Sequence, residues 1–140
     1  DEAAALCAAD ELCAPCGRTE CKRLKGAALM TANEYQEKAM ATLNPALSRK
    51  DVLINSVMGL CGESGEAIDL VKKWLAQGHE LDRAHLAKEL GDVAWYLAEA
   101  ATALDLDLDD ILQQNLDKLA ARYPDGFDAQ RSRVRLSGDL

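Results

Sequence analysis

The sequence predicts an all-α fold, and three observations lead there. Ala and Leu together make up about a third of the 140 residues, Val, Ile and Thr are scarce, and aromatic residues are only 4%; that mix favours helix over a β-sandwich or barrel. Helix-start signals recur along the chain, each ahead of an apolar run of helical period. No alternating run of strand length competes with them. A hydrophobic share of 49% excludes a disordered chain, and the length suits one domain.

The first helix is predicted over 32–43, with Thr31 and Glu34 as its capping pair and Asn44-Pro45 as its stop. The second spans 49–77, opened by Ser48 with Asp51 and closed by Gln77-Gly78, where Gly suits a left-handed C-cap. The third spans 83–104 behind an N-cap at Asp82. The fourth spans 108–123, opened by Asp107 with Asp110 and ended by the turn Pro124-Asp125-Gly126. Apolar pairs bracket each start as hydrophobic staples: Met30/Tyr35, Leu47/Val52, Leu81/Leu86 and Leu106/Ile111. This gives three regions: an extension over 1–29, a helical domain over 30–130, and a polar tail over 131–140 whose Arg131, Arg133 and Arg135 are expected to fray.

Charge and cysteines narrow the function. The formal charge of −8, from 24 acids against 16 bases, argues against a protein that binds a nucleic-acid polymer through its backbone. The longest apolar segment, Val93 to Leu104, carries Glu99 and is too short to span a bilayer, and Asp1 to Ala9 lacks the pattern of a signal peptide. A cytoplasmic protein without a membrane partner is the resulting expectation. Cys7, Cys13, Cys16 and Cys21 form a C-x5-C-x2-C-x4-C head with enough thiols for a zinc or iron–sulfur site. The spacing matches no standard finger and no His lies nearby, so thiols that act independently are the plainer reading. Cys61 has no His partner in the pattern and reads as an inert helical thiol.

The chemistry sits on the second and third helices. On a helical wheel, Leu53, Val57, Leu60, Ala67, Ile68, Val71 and Leu75 form the apolar stripe of the second helix, with Glu63 and Glu66 on its flank. Leu86, Leu90, Val93, Leu97, Ala101 and Leu104 form that of the third, with Glu89 and Asp92 on the matching flank and Tyr96 one turn beyond. Four carboxylates brought together repel one another unless a cation neutralises them. A hard divalent ion such as Mg²⁺ does so, and it is commonly completed by substrate phosphates. The pattern thus suggests a metal and a phosphate substrate together, against the plainer reading of solvated acids on two helix flanks. Gly59, Gly62 and Gly65 surround Glu63. Each Gly costs a helix about 1 kcal/mol relative to Ala, so close approach by a helix or a ligand is expected there.

On the fourth helix, Asn115, Lys118 and Arg122 share one flank beside Leu112, Leu116 and Leu119, and suit phosphate oxygens. Lys72 and Lys73 can do likewise or can answer the helix C-terminus. Trp74 falls near the apolar stripe and reads as core or interface; Trp95 points away from it and reads as a subunit contact. A ferritin-like di-iron site, which needs Glu-x-x-His twice, is poorly supported, because none of Glu63, Glu66, Glu89 and Glu99 has His three residues on. No P-loop or nucleophile elbow is present, and His79 and His85 read as surface residues.

Taken together, Gly59-Leu60-Cys61-Gly62-Glu63-Ser64-Gly65-Glu66, Lys72-Lys73, Glu89-Leu90-Gly91-Asp92-Val93, Asn115-x-x-Lys118 and Arg122-Tyr123-Pro124-Asp125-Gly126-Phe127 resemble the MazG-like nucleoside triphosphate pyrophosphohydrolases. That family carries E-x-x-E, a spacer and E-x-x-D; here the spacer runs from Ala67 to Lys88. The resemblance covers about residues 31–130 and does not touch the cysteine head. It implies an all-α helical bundle completed by oligomerisation, as a homodimer or homotetramer. It implies Mg²⁺-dependent, or Mn²⁺-dependent, cleavage of a nucleoside triphosphate to monophosphate and pyrophosphate, in the service of nucleotide-pool house-cleaning. Glu63, Glu66, Glu89 and Asp92 would hold the metal, with Glu63 doubling as the base; Lys73, Tyr96, Asn115, Lys118 and Arg122 would contact phosphate or sugar. Within the same wider group, dUTPase-like and phosphoribosyl-ATP pyrophosphohydrolase activities are alternatives, as is a non-catalytic nucleotide-binding regulator.

Overall fold

The caps at Ser48, Gly78 and Asp82 stand where the sequence placed them, whereas Asp107 makes no side-chain cap bond. The computed structural model describes residues 29–134, and the chain divides into two units, the second of them Ala32–Leu140. The second holds α1 (Ala32–Met40), α2 (Arg49–Gln77), α3 (Arg83–Ala103), α4 (Leu108–Arg122) and a short α5 (Ala129–Arg133). No strand occurs among the described residues. Cys7, Cys13, Cys16 and Cys21, and Arg135 of the tail, lie outside them.

Ser48 opens α2 by accepting from the Asp51 amide at 3.2 Å, and its hydroxyl donates to Asp51 Oδ2 at 2.6 Å, a side-chain N-cap without the backbone bond of a full capping box. Gly78 closes α2 with φ 71°, the left-handed cap that Gly adopts without strain. Asp82 caps α3 by accepting from the His85 amide at 2.9 Å. Asp107, expected to cap α4, makes no such bond. The first amides of α4 go to α1 instead: Leu108 N–H donates to Gln36 Oε1 at 2.8 Å and Asp109 N–H to Asn33 Oδ1 at 2.9 Å. Satisfying orphan amides from another helix docks α4 as well as capping it. Two further differences concern helix ends. α1 stops at Met40, short of the predicted 43, because Thr42 turns back and donates its hydroxyl to Ala39 O at 2.7 Å. Part of the tail is helical: Asp128 caps α5 by accepting from the Arg131 amide at 2.7 Å.

α2 and α3 run antiparallel, and their cross-contacts form a ladder. Arg49 Nε donates to Ala103 O at 2.7 Å, and its guanidinium pairs with Asp105 just past the end of α3. Asn55 bonds Glu99, Gly59 lies under the ring of Tyr96, and Glu63 meets Glu89 and Asp92. Each step forward on α2 is a step back on α3. α1 crosses α3, where the indole N–H of Trp95 is shared by Thr42 Oγ1 at 2.9 Å and Ala39 O at 3.2 Å. Trp95 is therefore half-buried against α1, whereas the wheel had it exposed on the single chain.

Among the described residues, the buried apolar ones are Val52, Ala98, Ala101, Ala103 and Leu108, three of them alanines. The face of α2 turned to α3 carries Val52, Ser56, Gly59 and Glu63 rather than the apolar stripe. Ile68, Val71 and Leu75 of that stripe are exposed and line an apolar groove with Leu86 and Leu90 of α3. On α4, Leu112, Leu116 and Leu119 are also exposed. With Glu89 and Glu99 buried and these apolar side chains exposed, much apolar surface is left uncovered on the single chain.

Candidate functional site

The ladder delivers the acids to one another. Glu63, Glu89 and Asp92 each offer a carboxylate oxygen, and the three atoms all lie within 4.8 Å of one another. Glu63 is half-buried, Glu89 is 7% exposed and Asp92 is exposed. Glu66 lies one turn further along α2, exposed and outside that trio, yet close enough to act on it by charge. Burial pushes the Glu63 carboxyl above its ordinary range; the charges of Glu66, Asp92 and Glu89 add to this, as does a hydrogen bond with Glu89. The last contact is natural in a crowded acid group, where one carboxyl keeps its proton to bond another.

Two further side chains lie near the acids. His85, at the start of α3 behind the Asp82 cap, sets its Nε2 2.8 Å from Glu89 Oε1, the reach of an i,i+4 pair. An imidazole on the outer side of a carboxylate fixes which oxygen remains for a ligand. From α1, Tyr35 comes near enough to Asp92 that its phenol is raised, first by burial and then by that charge.

The other expected site residues are placed unevenly. Tyr96 stands one turn from Asp92, its ring over Gly59 and edge-on to Trp95 at 5.0 Å and 89°. Lys73 and Lys72 both reach Asp69, at 2.5 Å each, and hold its carboxyl down at about 2. Asn115 and Lys118 stand exposed on α4, and the Arg122 guanidinium lies 5.8 Å from the centre of the Tyr123 ring. Of the glycines, Gly59 alone has the predicted close approach, while Gly62 and Gly65 have nothing within 4 Å of a Cβ position. Trp74 is exposed beside the apolar groove.

Three groups at the site escape a reading of the sequence: His85, Tyr35, and the pair Asn55–Glu99. Asn55 Nδ2 donates to both carboxylate oxygens of Glu99, at 3.0 and 3.1 Å. Their signal was present in the spacing. Asn55 is two turns before Glu63 and Glu99 two turns after Asp92, on the same helix faces.

These acids are a candidate centre for a hard divalent cation. Three carboxylate oxygens that converge within 4.8 Å fit such an ion.

Comparison with known proteins agrees with that chemistry. The family model of the MazG nucleotide pyrophosphohydrolase domain matches residues 54–127, more than half of the chain and every acid of the cluster. The Gene 37 protein of Mycobacterium phage L5 is 44% identical over 73 residues, which is 49% of this chain and 64% of that protein. The chain thus spans less than two thirds of that relative's length. No solved structure matches.

Proposed function

Since this chain belongs to the MazG nucleotide pyrophosphohydrolase family, we propose that it hydrolyses nucleoside triphosphates to monophosphate and pyrophosphate, with Mg²⁺ or Mn²⁺ as cofactor. The observation that carries this reading is the convergence of Glu63, Glu89 and Asp92 within 4.8 Å. These three, with Glu66, are the proposed metal-holding set. When bound, the cation supplies charge neutralisation and Lewis acidity toward the phosphate oxygens.

The chain's own residues supply the rest. Glu63, set among the other acids, is the proposed base that takes a proton from the attacking water. Attack by that water breaks the anhydride bond and releases pyrophosphate. His85 positions Glu89. Tyr96 faces the sugar, and Lys73, Asn115, Lys118 and Arg122 are the proposed phosphate contacts. Lys73 must leave Asp69 to serve. Asn115, Lys118 and Arg122 lie on α4, whose uncovered leucines suit a second copy of the chain. The unit is accordingly a homodimer or homotetramer acting on the nucleotide pool in the cytoplasm. No helix among the described residues is long and apolar enough to cross a membrane.

The test is substitution. Glu66→Ala and Asp92→Ala should each abolish turnover in protein whose helicity and melting are intact. Unchanged turnover in either variant removes that residue from the site.

A further inference from the structure

We propose that Asn55 is the specificity-determining residue that reads the nucleobase, and that buried Glu99 sets which way it reads. This assignment rests on the pyrophosphohydrolase reading and extends the same site by two helical turns.

Glu99 is fully buried at 0% exposure, and its hydrogen bonds come from Asn55. A neutral amide is poor compensation for a carboxylate taken out of water, and an apolar residue there would pack α3 against α2 at lower cost. The arrangement makes sense through what it does to Asn55, which is itself exposed. A free Asn can rotate its amide and present either donor or acceptor. A carboxylate only accepts, so the Asn55 NH₂ must face Glu99, and the amide oxygen is the group left to a ligand. Asn55 is thereby a fixed acceptor.

Its position gives that acceptor a meaning. Along α2, Asn55, Gly59 and Glu63 succeed one another at four-residue steps; along α3, Glu99, Tyr96 and Asp92 run opposite them. The acids and Asn55 therefore lie on one continuous surface, roughly 12 Å apart, with the Tyr96 ring between them. That separation matches a nucleotide laid with its phosphates at the acids and its base at Asn55. A fixed acceptor complements bases that carry an amino donor, cytosine and adenine, and opposes those with a carbonyl in its place.

The experiment compares kcat/KM for dCTP and dUTP, which differ at that edge of the base, in the full chain and in two variants. Wild type should favour dCTP by about tenfold or more, the scale of one oriented hydrogen bond. Glu99→Gln keeps the shape but lets the Asn55 amide turn either way, and Asn55→Leu removes the acceptor. Each should bring the ratio toward one while pyrophosphate release continues. A purely structural role would lower both substrates together and leave the ratio unmoved, and that result overturns the proposal, as does a wild-type preference for dUTP. Turnover of triphosphates without base discrimination overturns this assignment alone. No turnover of any triphosphate removes the pyrophosphohydrolase reading, and the assignment with it.

Discussion

The ring of Tyr96 occupies the space where a side chain at position 59 would begin: a Cβ on Gly59 would overlap Tyr96 Cε1. Real Cβ atoms do not approach so closely, so Gly59 is fixed by its neighbour and not by its own backbone. Gly59→Ala should displace the ring and lower the melting temperature by several degrees, the result of overpacking worth about 1–3 kcal/mol. Gly62→Ala and Gly65→Ala meet nothing within 4 Å and should stabilise α2 by up to about 1 kcal/mol. Thermal melts of the three variants separate the cases. Stable Gly62→Ala protein without activity would show that the space beside Gly62 belongs to substrate.

The elevated Glu63 carboxyl links pH, metal and stability. Its folded value lies above the unfolded one, so the native state holds its proton more tightly. For this group, metal-free stability falls as pH rises from the ordinary carboxylate range through the folded value. A divalent cation that binds the ionised cluster should reverse that trend. Melting with MgCl₂, against NaCl at matched ionic strength, should show a stabilisation that is larger at pH 7.5 than at pH 5. Equal shifts at both values would mean that Mg²⁺ does not compete with the Glu63 proton.

Asp69 moves the other way. Lys72 and Lys73 lower its carboxyl to about 2, so its contribution to stability is present above the ordinary value of 3.8 and is lost only as pH falls through about 2. The pair is exposed, and its weight in overall stability is small. A carboxyl ¹³C titration should find Asp69 still ionised at pH 3, and the double variant Lys72→Ala/Lys73→Ala should return it to the ordinary range. An ordinary value in wild type would mean that both lysines are already free for phosphate.

The uncovered leucines give a prediction about assembly. Leu116 is 58% exposed and Leu75 77% exposed, more apolar surface than a single chain this size commonly leaves in water. Sedimentation should find a dimer or larger species, and Leu116→Glu or Leu75→Glu should shift it toward monomer. A monomeric wild type would leave the α2 and α4 stripes without the partner proposed for them.

The helices were legible because their starts and stops are local events. The Ser48 cap, the Asp82 cap and the Gly78 stop each need only a few neighbouring residues. The Asp107 cap failed because Gln36 and Asn33, some seventy residues away, took its amides, and no local pattern announces that. The acid pairs were legible through their shared offset from the apolar stripes. Which face α3 would meet was not: a wheel assigns the core to the leucines, whereas this chain buries Val52 and Ser56, sets Gly59 under Tyr96, and leaves Val57, Ile68, Val71 and Leu75 of the stripe exposed. His85 and Glu99 were passed over because a lone His or a lone acid on a helix usually faces water. Here one is bonded to Glu89 and the other is closed in under Asn55.

The most direct test of the central claim is product analysis. The full chain is incubated with a panel of ribo- and deoxynucleoside triphosphates, with Mg²⁺ and with EDTA, and the products are resolved by ion exchange. Monophosphate and pyrophosphate in equal amounts, abolished by EDTA, is the predicted result. Diphosphate with inorganic phosphate, or no turnover by folded helical protein, would contradict it; the second outcome would favour a regulator that binds nucleotide without cleaving it.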